Sequence, residues 1–193
     1  KNICVINLFI IIFSFLSFIL NFGQSENIDS KVTFVDGKEI NTKIRFKVNL
    51  FWSDLIDESS IAYKTIQLID KNGEISKTPS INFNKIEFID LKNKKRVFIR
   101  MPEYDGLVEL IYAGKIKWVR YYYPHGYDRS TQQADHFYKE GFKMVGLGLF
   151  SNSRKKLKEL MYDRPDLFQL IEQINYNRLK DEQLIEVLKK YDE

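Results

Sequence analysis

The stretch Val32–Leu50, VTFVDGKEINTKIRFKVNL, carries the reading that decides the fold. From Ile40 onward it alternates, with Ile40, Thr42, Ile44, Phe46, Val48 and Leu50 on one side and Lys43, Arg45, Lys47 and Asn49 on the other. Two is the strand period, and such a strand lays its apolar face on a core and its cationic face in water. Asp36-Gly37, just before it, is a strong hairpin signal because both turn positions tolerate positive φ. Val32–Val35 is then the partner strand.

Outward from this hairpin the same grammar repeats. Ile66–Ile69 runs into Asp70-Lys71-Asn72-Gly73 and out through Glu74-Ile75-Ser76. Lys85–Leu91 and Arg96–Met101 flank the basic stretch Lys92–Arg96, read as a solvated hairpin tip. Val108–Tyr112 and Lys115–Tyr122 flank Ala113-Gly114, and His136–Lys139 and Phe142–Val145 flank Glu140-Gly141. Turn signals at this spacing predict an antiparallel meander that forms a sandwich or open barrel. Residues 124–134 (PHGYDRSTQQA) are polar and aperiodic and read as a surface loop. Gly146-Leu147-Gly148 reads as a strand end or bulge.

Near residue 150 the period becomes helical. Leu157, Leu160 and Met161 share a face behind Ser153 as a cap; Leu167, Leu170, Ile171 and Ile174 follow Asp163-Arg164-Pro165-Asp166; Leu184, Val187, Leu188 and Tyr191 follow Asp181. Three short helices must bury these stripes against each other and against the sheet. The fold class expected is α+β, an antiparallel β meander followed by three C-terminal helices. The expected organisation is a signal peptide at 1–23, a β-domain at 24–150 and a helical subdomain at 151–193.

The signal peptide is read from Lys1, the apolar run Ile3–Leu20 and the polar exit Asn21–Ser25. The expected cut follows Gly23; the alternative is retention as an N-terminal anchor, the only membrane contact expected. The single cysteine, Cys4, lies inside this segment. Its removal leaves no thiol for disulfides, nucleophilic catalysis or Cys-based metal sites. The formal charge is +4 at pH 7. With lysine and asparagine abundant and alanine rare, it gives no reason to expect nucleic acid as a partner.

Candidate chemistry is sparse. His125 and His136, with Asp128 and Asp135 nearby, match no metal-ligand spacing, and neither a metal nor a cofactor is expected. Asp163 and Asp166 read as helix caps, and Asp57 and Glu58 as solvated loop acids. No G-x-S-x-G elbow or phosphate loop is present in the sequence. The aromatic cluster stands out. On a strand, Trp118, Arg120 and Tyr122 face one side and Val119, Tyr121 and Tyr123 the other. One set belongs in the core; the other offers a platform for a sugar or peptide. The residues selected as ligand-binding are Trp118, Arg120, Tyr122 and Tyr127.

Several of these segments resemble a group of uncharacterised secreted proteins of Bacteroidetes, of flavobacterial type. The resemblance lies in Val35-Asp36-Gly37-Lys38-Glu39-Ile40, in Ala113–Tyr121 against x-G-K-I-x-L-Y-x-Y, and in Lys155–Ile171 against K-K-x-L-x-x-x-x-x-D-x-P-x-L-x-x-x-I. It ends at Tyr191-Asp192, near a Tyr-Asn close. Trp118-Val119 stands where the pattern has Leu-Tyr, and Asp192 where it has Asn. The resemblance implies export, a β-rich domain with a short helical C-terminus, and no catalytic residues. The function expected is a non-catalytic binding or structural module of the envelope or extracellular space, with an envelope protein or glycan as partner. The alternative is a hydrolase of envelope polymers.

Overall fold

The Asp36-Gly37 hairpin forms where the alternation places it: β1 (Ser25–Phe34) pairs antiparallel with β2 (Glu39–Lys47), from Ser25 opposite Lys47 to Thr33 opposite Glu39. The structure is a computed structural model describing residues 25–48, 54–128, 130–141, 145–147, 152–176 and 180–193. The segment read as a signal peptide, with Cys4 and Gly23, lies outside the described residues, as do Leu50 and Phe142. No described helix is long and apolar enough to cross a membrane.

Eight further strands follow: β3 (Thr65–Ile69), β4 (Ile75–Pro79), β5 (Phe83–Ile89), β6 (Lys95–Arg100), β7 (Leu107–Ala113), β8 (Ile116–Pro124), β9 (Thr131–Lys139) and β10 (Val145–Leu147). They form one antiparallel sheet in the order β10-β9-β8-β7-β6-β5-β1-β2-β3-β4. The hairpins share a turn chemistry. Asp70 Oδ1 accepts from the backbone N–H groups of Asn72 and Glu74, both at 2.8 Å, and Asp90 Oδ1 from those of Lys92 and Lys94, both at 2.9 Å. Gly73 (φ +85°) and Asn93 (φ +60°) occupy the left-handed position of each turn, which glycine and asparagine tolerate best.

The sheet is curled. β4 and β5 stand four places apart in strand order, about 19 Å in a flat sheet. Yet only Ser80–Asn82 joins them, and that link reaches about 14 Å at full stretch. Curling brings the ends of β2 and β3 round toward those of β7 and β8. The short helix α1 (Ser59–Ala62) fills the gap, touching β2, β3, β7 and β8. Gly106 is required at this seam, because a Cβ there would lie 1.8 Å from the Ala62 carbonyl oxygen. Inside the curl, Val32, Ile44, Phe46, Ile66, Phe83, Ile86 and Phe98 are fully buried.

The C-terminal stripes form α2 (Ser153–Leu160), α3 (Phe168–Gln173) behind a 3-10 turn at Pro165–Leu167, and α4 (Asp181–Asp192). They bury Leu157, Leu160, Ile171, Leu184 and Leu188 against Ile116, Trp118 and Phe137 of β8 and β9. Helix α4 ends on a tether: Tyr112 Oη donates to Asp192 Oδ2 at 2.6 Å, and the Lys115 N–H to Asp192 Oδ1 at 3.0 Å. Burial and this carboxylate push the Tyr112 hydroxyl up to about 12. A Cβ on Gly114 would sit 1.9 Å from Asp192 Oδ2, so Ala113-Gly114 is a close-approach site as well as a turn. Tyr191 Oη donates to Asp163 Oδ2 at 2.8 Å, so the Tyr191-Asp192 ending anchors the last helix.

Several local expectations are corrected. Residues 131–134 are strand, not loop, paired with β8; Gln132 and Gln133 are exposed, and no alternation marks this half of β9. The N-cap of α2 is Asn152, whose side chain accepts from the Lys155 N–H, rather than Ser153. Asp163 and Asp181 are not side-chain caps, because cationic side chains from the sheet engage both carboxylates. Arg96 leaves the solvated tip and enters the core.

Candidate functional site

One strand carries three environments along its inner face. On β8, Ile116 and Trp118 lie under the helices, Arg120 occupies a polar belt, and Tyr122 reaches the core inside the curl. The belt separates the two apolar clusters and crosses four strands. Glu109 of β7 stands directly opposite Arg120 in the ladder, and Arg120 opposite Asp135 of β9.

Arg96 is the centre of the first half of the belt. It bonds Glu109 through Nε and through Nη2 (2.7 Å), and Nη2 also meets Tyr122 Oη at 3.1 Å. Tyr122 in turn donates to Glu109 Oε2 at 2.6 Å, and Glu58 Oε1 lies 3.3 Å from Arg96 Nη2. Burial pushes the Glu58 carboxyl above its usual range despite the neighbouring guanidinium, so this acid is not the solvated loop residue expected. In the second half, Arg120 joins Asp135 (Nε to Oδ1, 2.8 Å) to Asp181 at the start of α4 (Nη2 to Oδ1, 2.8 Å). Trp118 Nε1 donates to Asp135 Oδ1 at 2.9 Å.

Burial pushes the Asp181 carboxyl up, but the Arg120 hydrogen bonds and charge, with Lys94, outweigh it and hold it below the usual range. A depressed folded-state pKa contributes stability above the unfolded value, about 3.9 for Asp, and that contribution is lost as pH falls through the folded value. Urea melts between pH 6 and pH 2 are expected to show this loss below about pH 4. Asp181→Asn is expected to be less stable at pH 6 and flatter in that acid window; equal slopes for the two proteins would refute the assignment.

Of the residues selected from sequence, Trp118 is 0% exposed and lies under the helices, whereas Tyr122, 5% exposed, is among the residues lining the cleft described below. Arg120 is committed to its two carboxylates. Tyr127 is 95% exposed in the β8–β9 turn and is not gathered with the other three. The half-exposed rings belong to the opposite face. Tyr121 meets Tyr104 in a tilted contact at 4.8 Å and stacks on Tyr123 at 5.7 Å between centroids. Behind them Tyr104 Oη bonds His136 Nδ1 and, at 2.7 Å, Tyr138 Oη. Burial lowers the His136 pKa, which favours the neutral ring.

This face runs into a cleft of about 960 Å³ at the seam closed by α1. Its lining includes Arg45 and Lys47 of β2, Lys64 and Thr65 before and in β3, and Tyr63, Asp105 and Tyr121. Asp57 lies at the junction, where its Oδ1 accepts from the Ser59 N–H (3.0 Å) and Thr131 Oγ1 (3.1 Å). Tyr63 Oη is buried and has no hydrogen-bond partner among the described residues. A buried hydroxyl without a partner is rare in a native fold. The volume falls at the upper end of the range for small-molecule sites.

Sequence reasoning passed over these residues for a physical reason. Arg45 and Lys47 occupy the wet face of a strand, the commonest place for solvated cations, and Tyr63 and Tyr121 meet them only through the curl. The set-aside partner face of the β8 alternation was the one available signal. Among the described residues, no cluster of His, Cys, Asp or Glu could hold a metal ion. No protein family, curated protein or solved structure matches this chain.

Proposed function

We propose that this chain is an exported, non-catalytic binding module of the periplasm, outer-membrane surface or extracellular space, whose ligand occupies the cleft between α1 and the ends of β2, β3 and β8. The cleft carries this reading: it is large, it combines cations, hydroxyls and aromatic rings, and it borders a half-exposed tyrosine face. The apolar N-terminal run and the resemblance to secreted Bacteroidetes proteins support export. The partner class proposed is an envelope glycan or protein.

Thr65 is exposed at the cleft on a strand, so Thr65→Trp fills the space with a residue strands accommodate. Titration calorimetry against fractionated envelope polysaccharide is expected to show binding by the wild type and its loss in this variant at an unchanged melting temperature. Undiminished binding by Thr65→Trp would move the site elsewhere. The hydrolase reading has one observation in its favour, that Asp57 and Asp105 both line the cleft. Release of reducing ends from the same fractions, abolished by Asp57→Asn or Asp105→Asn, would establish it in place of the binding module.

A further inference from the structure

We infer that the cleft recognises an acidic carbohydrate, a sugar chain bearing carboxylate groups; this rests on the binding reading above and names its ligand class. Three kinds of group meet there, and such a ligand uses all of them. Arg45 and Lys47 of β2 and Lys64, just before β3, all line the cleft, and none is engaged in an ion pair with a described carboxylate. Among the described residues, Arg45 Nε donates to Ser25 Oγ at 2.9 Å and neither Nη group is bonded, which leaves both to a ligand. A guanidinium with two free amino groups binds a carboxylate in a bidentate fork.

The other lining groups ask for something other than an anion. Asp105 accepts hydrogen bonds only, and Asp57 keeps Oδ2 free of the bonds that occupy Oδ1. Acceptors of this kind suit sugar hydroxyls, which a bare phosphate or sulfate lacks. Tyr121 adds a half-exposed ring, and an amphipathic ring suits the C–H face of a pyranose. An inorganic anion would leave the ring and acceptors idle, and a neutral sugar would leave three cations unpaired. A uronate chain places carboxylates, hydroxyls and C–H faces within a few ångströms of one another.

The test titrates the full chain, as the expressing cell delivers it, with a tetrauronate oligosaccharide and with its carboxyl-reduced neutral counterpart. The tetrauronate is expected to bind at least tenfold more tightly, and more weakly as ionic strength rises. Arg45→Gln with Lys47→Gln is expected to reduce that preference roughly tenfold. Lys47 is exposed and Arg45 half-buried, so a melting curve for each variant separates lost binding from lost folding. Tyr121→Ala is expected to weaken both oligosaccharides alike. Equal affinity for the neutral chain overturns the acidic class and leaves the binding module standing. Binding of polyglutamate as tight as that of the tetrauronate overturns the carbohydrate component. Failure of every saccharide to bind overturns both this inference and the cleft as a glycan site.

Discussion

Arg96→Ala is expected to lower the unfolding free energy by about 3–5 kcal/mol, the cost of removing one partner from a buried ion pair. Arg96 is 7% and Glu109 3% exposed, and the guanidinium is shared among Glu109, Glu58 and Tyr122. Without it Glu109 is a carboxylate between two apolar clusters, held among the described residues only by the Tyr122 hydroxyl, and Glu58 loses its tie to β6. For a domain of this size the change corresponds to roughly 6–20 °C in melting temperature. Two comparisons give the result its meaning. Lys92, whose ammonium lies 3.3 Å from Asp54 on the exposed tip of the same hairpin, should cost about 1 kcal/mol or less as Lys92→Ala. The double change Arg96→Met with Glu109→Leu should recover much of the loss, because it removes both buried charges. Urea denaturation followed by far-UV circular dichroism measures all three. An Arg96→Ala midpoint equal to that of Lys92→Ala would show that the polar belt does not hold the sheet together.

Trp118→Ala is expected to cost a further large amount, about 3–5 kcal/mol for a buried tryptophan. The side chain is fully buried, stacks on Phe137 at 5.4 Å, and lies beneath the Arg120 guanidinium at 5.5 Å from the ring. It is the sheet residue on which the helical cluster closes, so the cavity would sit between helices and strands. Trp118→Phe keeps most of the packing and removes only the Nε1 donor to Asp135, which should cost about 1–2 kcal/mol. The ordering Ala well below Phe, and Phe slightly below wild type, is the expected result in urea melts. Near-equality of the Ala variant with wild type would mean that the helices dock without this ring. The same experiment separates packing from recognition: Trp118→Ala is expected to reduce stability and leave intrinsic ligand affinity of the folded fraction unchanged, whereas Tyr121→Ala does the reverse.

The strands, their hairpins and the three C-terminal helices were legible because their signals are local. A period of two over Ile40–Val48, the Asp36-Gly37 and Asp70–Gly73 turns, and the i, i+3, i+4 stripes at Leu167–Ile174 and Leu184–Tyr191 each fix structure within about ten residues. The misses have one origin as well. The first half of β9 carries polar residues without alternation, so no local signal marks it as strand. Arg96 and Glu58 look like surface charges because a buried charge differs from a solvated one only in what faces it. Asp163 and Asp181 look like caps because capping is the local use of an aspartate, and the partners that claim them, Lys139 and Arg120, lie on strands far away in the chain.

The sequence by itself determined the antiparallel strands, their turns, the helical C-terminus and the division of β8 into two faces, all consequences of backbone sterics and apolar periodicity. Only the tertiary structure decided which face of β8 is covered. Helices docked on Ile116 and Trp118, and the curl enclosed Tyr122, which left Tyr121 and Tyr123 partly open. It also created the cleft, because Arg45 and Lys47 meet Tyr63 and Tyr121 only when the three-residue link from β4 to β5 and α1 draw the ends of β2 and β3 toward those of β7 and β8. Burial of apolar faces is driven by area and has no direction of its own, so the pattern can call for two buried faces without saying what will cover them.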